Sequence, residues 1–246
     1  MTVYYLIPMF NEQDNLVSLQ KKLLSSLPDL NKFFVFSDDC STDNSVSLVK
    51  KLFPAERLHV VEKDKNAGPG HSFNLGFEWI LNHSQSDEDI VVTMEADGTS
   101  DISILHDMIS VSNMGYDLVL ASVYAQGGGF SQTSFIRKSL SFVANMMFRM
   151  IFDIKVLTLS SFYRVYHVSL LKNIKANYIV VINEPGFICM LEVLMKSINS
   201  NAKVVEIPMV LDTNARVGKS KMKILKTTGT YVRFLLSFKK HKAKPF

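Results

Sequence analysis

Four apolar runs, each stopping on a polar or glycine-bearing loop, constrain this chain more than any other feature. Val3-Tyr4-Tyr5-Leu6-Ile7-Pro8 leads to Asn11-Glu12, and Phe33-Phe34-Val35-Phe36 runs into Ser37-Asp38-Asp39-Cys40-Ser41-Thr42-Asp43. The third run, 58–61, leads to Asn66-Ala67-Gly68-Pro69-Gly70. The fourth ends at Val92-Thr93-Met94 and stops on Glu95-Ala96-Asp97-Gly98. Helical patterns separate them at 16–27, 45–52 and 72–81. Strands alternating with helices of this length predict βαβ units and a parallel sheet. In such sheets ligands bind beyond the carboxyl ends of the strands, where these loops would line up as a nucleotide-sized cleft.

Glu95 and Asp97 need a reason to be there. Two acids one residue apart at the end of a buried strand suffer both desolvation and mutual repulsion. A divalent cation between them would remove both penalties, taking hard oxygen ligands and completing its shell with phosphate oxygens. The alternative is a solvated turn at a strand end. Asp101 is equally suited to capping a helix that starts near Ile102.

The ordered set of motifs resembles the family-2 glycosyltransferases of GT-A fold. The residues that carry the resemblance are Ile7-Pro8-Met9-Phe10-Asn11-Glu12, Asp38-Asp39-Cys40-Ser41-Thr42-Asp43, Asn66-Ala67-Gly68 and Glu95-Ala96-Asp97-Gly98. Downstream, Ala121-Ser122-Val123-Tyr124, Gly127-Gly128-Gly129, Arg137-Lys138 and Ser160-Ser161-Phe162-Tyr163-Arg164-Val165-Tyr166 are similar to the dolichol-phosphate mannosyltransferase-like branch. So are Glu206-Ile207-Pro208 and Arg216-Val217-Gly218-Lys219-Ser220-Lys221. The resemblance spans roughly residues 2–225. It implies an α/β fold of GT-A (Rossmann-like) type, with a mixed, mainly parallel sheet flanked by helices. It also implies one catalytic domain over 1–225; the residues that follow, 226–246, read from their own lysines, arginines and apolar positions as a basic amphipathic segment.

It further implies an inverting transfer of sugar from a nucleotide-diphosphate donor to a polyprenyl phosphate. Asp97 is expected to hold Mg2+ or Mn2+, with Glu95 assisting directly or through water; the family more often has aspartate at that place. Pro8, Asn11 and Glu12 would frame base and ribose, Asp38 and Asp39 would reach their polar groups, and Gly68 and Ala96 would border the nucleotide. Gly68 and Gly70 are expected to let backbone approach ligand closely. Arg137, Arg164, Arg216 and Lys221 stand where this branch places cations for phosphate. Arginine suits bidentate phosphate contacts and lysine acts as a point charge. Two departures stand out: Val123 where relatives often carry arginine, and Phe162 where glycine is usual, which suggests a reshaped acceptor pocket.

A phosphate acceptor also fits an absence. A hydroxyl nucleophile needs a general base, whereas a phosphate monoester is already anionic. The acceptor half has no Glu-Asp pair and no Gln-x-x-Arg-Trp motif, and the single tryptophan, Trp79, lies in an early helix. A saccharide hydroxyl acceptor in surface-polysaccharide assembly is the alternative, with Glu184 or Glu192 as base. A non-catalytic nucleotide-sugar binder is the alternative from another class.

Charge is unevenly spread. Residues 214–246 hold ten Lys or Arg and no acid, whereas the first 213 hold 17 basic and 23 acidic side chains. No nucleic-acid module accompanies this charge, so nucleic acid is not an expected partner. The cluster Lys239, Lys240, Lys242 and Lys244 suits an anionic membrane surface. No run approaches the roughly 20 apolar residues a spanning helix needs: Arg149 and Asp153 break 142–157, and Glu184, Pro185 and Glu192 break 178–195. Leu140, Val143, Met146, Met147, Met150 and Ile151 share one helical face, which fits core, a homo-oligomer or membrane-protein contact, or shallow insertion in a bilayer. Only Cys40 and Cys189 occur, and acids interrupt the first apolar run, so the expected setting is the reducing cytosol, peripheral on the cytoplasmic membrane face.

Overall fold

The computed structural model describes residues 1–131, 145–146, 148–151 and 154–218. Arg137, Lys221 and the segment 226–246 lie outside the described residues, as do Leu140, Val143 and Met147 of the apolar stripe.

The chain alternates strands and helices through its first half. In order these are β1 (Thr2–Met9), α1 (Gln13–Ser25), β2 (Asn31–Asp38), α2 (Ser45–Leu52), β3 (Leu58–Glu62), α3 (Pro69–His83) and β4 (Ile90–Thr93). A 3-10 turn at Ile102–Ile104, capped by Asp101 through Ser103 N, precedes α4 (Leu105–Asn113). Then come β5 (Leu118–Ser122), β6 (Gly129–Ser131), β7 (Arg164–His167), α5 (Val168–Tyr178), α6 (Cys189–Asn199), β8 (Val204–Pro208) and β9 (Val210–Asp212).

Seven strands form one sheet in the order β3-β2-β1-β4-β7-β5-β8, and β6 pairs with β9 separately. β1 is parallel to β2 and β4, β2 to β3, and β5 to β8, while β7 runs antiparallel between β4 and β5. The mixed, mainly parallel sheet expected above is what forms.

The sheet separates two cores, and the period of two along β1 is what divides them. Val3, Tyr5 and Ile7 pack with Leu16, Leu19 and Leu23 of α1, Val49 of α2 and Met108 of α4. Tyr4 and Leu6 face Phe73 and Phe77 of α3, Leu171 of α5 and Leu194 of α6. With helices on both faces the central strands are buried on both sides, which is why β4 and β5 read as unbroken apolar runs.

Strand order reverses at β1: β2 and β3 extend to one side and β4 to the other. Crevices at such reversals are where open α/β sheets bind ligands. The loops after β1 and β4 therefore flank the expected site. Because β7 is antiparallel, with Arg164 opposite Thr93, its incoming loop 159–163 reaches the same edge.

Candidate active site

Three of the four motif loops are tied to one another. Asn11, at φ +52°, accepts a bond from Thr42 N at 2.7 Å, and its own N–H donates to Ser41 Oγ at 2.8 Å. Glu12 N donates to Ser45 Oγ, and Asp43 accepts from Gln13 N and Ser45 N. Asn11 thus bridges the first loop to the second and does not cap α1.

The two acids ending β2 have internal partners. Asp38 accepts from Ser41 N at 2.9 Å and from Ser41 Oγ. Asp39 accepts from Ala67 N at 2.7 Å and Gly68 N at 2.8 Å, and pairs with Lys63 at 2.5 Å. These carboxylates hold the second and third loops in register; base or ribose contact from them, as expected above, would require those partners to be shared. Breaking a buried pair of this kind typically costs about 3–5 kcal/mol.

The glycine expectation needs correction. A Cβ on Gly68 would lie 2.5 Å from Pro185 O, and one on Gly70 would lie 1.9 Å from Glu184 O. Gly70 N also donates to Pro185 O at 2.8 Å. The backbone that approaches closely is the chain's own 184–186 segment, so these glycines seat that segment on the start of α3.

Arg164 is corrected as well. It is fully buried, and its guanidinium donates to Ser161 O at 2.7 Å, Leu159 O at 2.8 Å and Met190 O at 2.8 Å. A further N–H, from Nη1, reaches Tyr166 Oη at 3.4 Å, and in this arrangement Arg164 fastens loop 159–161 to α6. Phe162 fills the core between Phe73 and Phe187. Glu192, offered above as a base, is buried against Lys196 at 2.8 Å and accepts from Asn183 N and Glu184 N. Glu206 likewise holds Leu157 N and Thr158 N at 2.7 Å.

The β4 end carries the distinctive chemistry. Asp97 is nearly buried, and its Oδ1 accepts from Thr99 N at 3.1 Å and Thr99 Oγ1 at 2.7 Å. Its Oδ2 accepts from Arg216 Nε at 2.6 Å and from Arg216 Nη2. Glu95 accepts from Ser100 Oγ at 2.9 Å. Burial, and then the Asp97 charge beside it, push the Glu95 carboxyl up from 4.5 to about 7. The pair is therefore short of positive charge despite Arg216. That deficit and the all-oxygen donor set fit a divalent cation sharing its shell with phosphate oxygens. Among the described residues no cluster of three or more His, Cys, Asp or Glu offers a self-sufficient metal site.

Between pH 4.5 and 7 the folded protein keeps a proton that the unfolded chain has lost, so stability falls as pH rises through that window. Glu95→Gln removes the penalty. In chelator-treated buffer its thermal midpoint should match wild type near pH 4.5 and exceed it at pH 8, at about 2–4 °C per kcal/mol for a chain this long. Equal midpoints at both pH values would refute the electrostatic reading of Glu95.

Asn15 was not singled out from sequence. It is buried on α1, donates to Glu12 Oε2 at 2.7 Å, and exchanges two bonds with the backbone of Val217. The available signal was an amide at the 15-19-23 spacing of an otherwise apolar face. A cavity of about 700 Å³ opens between Lys22, Ser26, Thr99, Ser103 and Asp212.

Comparison with known proteins bears on the family and the fold. The model of the family described as "Glycosyl transferase family 2" matches residues 5–175. Polyprenol monophosphomannose synthase of Mycolicibacterium smegmatis is 28% identical over 219 residues, covering 88% of this chain and 79% of that protein. Dolichol-phosphate mannosyltransferase of Pyrococcus furiosus is 30% identical over 239 residues, covering 96% of this chain and 63% of that one. Undecaprenyl-phosphate mannosyltransferase of Micrococcus luteus is 24% identical over 223 residues, covering 90% and 88%. Among solved structures, glucosyl-3-phosphoglycerate synthase of Mycobacterium tuberculosis, in complex with Mn2+, UDP and glucosyl-3-phosphoglycerate, superposes with a TM-score of 0.64. It is 16% identical and covers 96% of this chain and 77% of that one, a likeness of fold.

Proposed function

The chain belongs to glycosyltransferase family 2, and from that premise we propose that it transfers a sugar, with inversion, from a nucleotide-diphosphate donor to a polyprenyl phosphate. The observation that carries this reading is the Glu95/Asp97 pair at the reversal of strand order, short of positive charge and facing Arg216. The acceptor follows from relatives named for polyprenol, dolichol and undecaprenyl phosphates.

A phosphate oxygen of the acceptor attacks the anomeric carbon while the bond from that carbon to the donor diphosphate breaks. The electron pair leaves with the nucleoside diphosphate. Mg2+ or Mn2+, held by Asp97 with Glu95, would supply positive charge to that leaving group. Glu95 must be ionised to take part, so metal binding is favoured as pH rises toward 7. Arg216 and Lys221 are assigned to the diphosphate, where fixed cations stabilise developing charge. Pro8, Asn11, Glu12 and Ala96 border the nucleotide, behind loops braced by Asp38 and Asp39. Arg137 is assigned to acceptor phosphate. No proton need be removed from an ionised phosphate, which agrees with Glu192 being committed to Lys196 and backbone.

A lipid acceptor would place the protein at a membrane surface on its cytoplasmic face. No helix among the described residues is long and apolar enough to cross a bilayer. Met146, Met150 and Ile151 are exposed, in keeping with shallow contact, and the basic segment 226–246 would add attraction to anionic lipid of about 1 kcal/mol per residue near the surface.

The test is acceptor competition. Labelled nucleotide sugars are incubated with Mn2+ and anionic vesicles, with or without polyprenyl phosphate, and with soluble oligosaccharides instead. Label should enter a solvent-extractable product only with the lipid phosphate. Label appearing on the oligosaccharides alone would replace this acceptor with a saccharide hydroxyl.

A further inference from the structure

We infer that residues 213–218 form a strap that keeps Asp97 closed to metal until the donor arrives, and that Asn15 is the positioning residue that latches it. The inference rests on the metal-dependent reading above and adds a competition between Arg216 and the cation.

An ionised carboxylate has about four lone-pair positions. On Asp97, Thr99 N and Thr99 Oγ1 occupy two, and Arg216 Nε and Nη2 occupy the others. The Thr99 bonds belong to the turn itself, where Gly98 sits at φ +76°. A cation that binds Asp97 therefore takes the place of Arg216, since both seek the same oxygen.

Arg216 does not reach Asp97 by a free side chain. Asp212 accepts from Asn214 N at 3.0 Å and its carbonyl from Ala215 N, forming a turn directly after β9. Thr213 Oγ1 donates to Ser131 O at 3.1 Å, which anchors the near end to β6. The far end is held by one buried side chain. Asn15 Oδ1 accepts from Val217 N at 2.9 Å and Asn15 Nδ2 donates to Val217 O at 3.3 Å. The second proton of that amide goes to Glu12, which fixes the amide's orientation. Arg216 lies between these anchors, and Val217 beside it is exposed. An exposed apolar residue supplies little packing of its own, so the amide pair and the ion pair hold the strap down.

This device couples two ligands. Metal alone must break the ion pair with nothing to offer the guanidinium in return. Metal with a diphosphate breaks the same pair but provides Arg216 with a new anion. Metal alone should bind weakly and metal with nucleoside diphosphate far better, part of the difference arising from Arg216. Couplings of this kind commonly change affinity by about 5- to 150-fold.

The test is Mn2+ binding to the whole, nucleotide-free protein, read from the paramagnetic resonance of free Mn2+ at pH 8. Arg216→Gln should bind Mn2+ alone about tenfold more tightly than wild type. Asn15→Ala should shift the same way by a smaller factor. Adding nucleoside diphosphate should raise Mn2+ affinity less in both variants than in wild type. A merely structural role for Asn15 would loosen the site and weaken binding instead. Unchanged or weaker Mn2+ binding by Arg216→Gln, with clear binding by wild type, would overturn the strap and leave the transferase reading intact. Should Asn15→Ala fail to fold, Arg216→Gln, altered at a partly exposed side chain, still decides. If no protein bound Mn2+ with or without nucleoside diphosphate, the metal reading would fall and the strap with it.

Discussion

Asp97→Asn is expected to lower sugar transfer by at least about 10²–10³-fold at saturating Mn2+, the scale of losing one preorganised electrostatic contact to the leaving group. The variant should remain folded. Asp97 serves neither core: its partners are Thr99 in its own turn and Arg216 on the strap. Neutralising it also relieves the repulsion that adds to burial in raising the Glu95 carboxyl, which offsets part of the lost ion pair. Circular dichroism and a thermal melt check the fold, and a turnover assay checks the rate. Retained turnover in a folded Asp97→Asn protein would remove the metal assignment.

Arg164 should behave in the opposite manner. Arg164→Met leaves Leu159 O, Ser161 O and Met190 O without their donor, at about 1–3 kcal/mol for each buried group left unsatisfied. Against a total stability of about 5–15 kcal/mol, that loss should leave little folded protein. Arg164→Lys keeps the charge but cannot span three carbonyls in different directions. It should lower the thermal midpoint by at least about 4–8 °C, from a loss of some 2 kcal/mol. Were Arg164 a contact for acceptor phosphate, the lysine variant would instead melt like wild type and show a raised acceptor KM.

The contrast between these two residues marks how far the sequence could be read. Strand ends were legible because burial on both faces writes an unbroken apolar run, and the acids that stop it stand out. Hence the edge of the sheet and the loops after β1 to β4 are legible in the sequence. The mixed direction of the sheet came from the family likeness and not from periodicity, since β7 is only four residues long and its antiparallel insertion leaves no local mark.

Roles that depend on distant partners were not legible. Arg164 has the composition of a phosphate ligand, and only the fold reveals that three carbonyls surround it. Gly70 signals close backbone approach, but nothing local says that the approaching backbone is Glu184 and Pro185. Asp39 lies in a motif loop, yet Lys63 and the amides of Ala67 and Gly68, more than 20 residues away, already occupy it. Asn15 and Val217 are 202 residues apart. The one hint of their contact was an amide placed where α1 is otherwise apolar.

The pairing of Asp97 with Arg216 joins the two halves of the site. A carboxylate from the first half of the chain and a cation from the last described segment meet at one oxygen. That meeting point is where the account places the metal and the leaving diphosphate. A crystal structure of the protein with Mn2+ and a nucleoside diphosphate, UDP and GDP tried in parallel, tests it most directly. Mn2+ should be bound to Asp97 and to diphosphate oxygens, with Glu95 on the metal or on one of its waters, and Arg216 turned from Asp97 to phosphate. Nucleotide bound elsewhere, or bound here with Arg216 still on Asp97 and no metal between them, would contradict it.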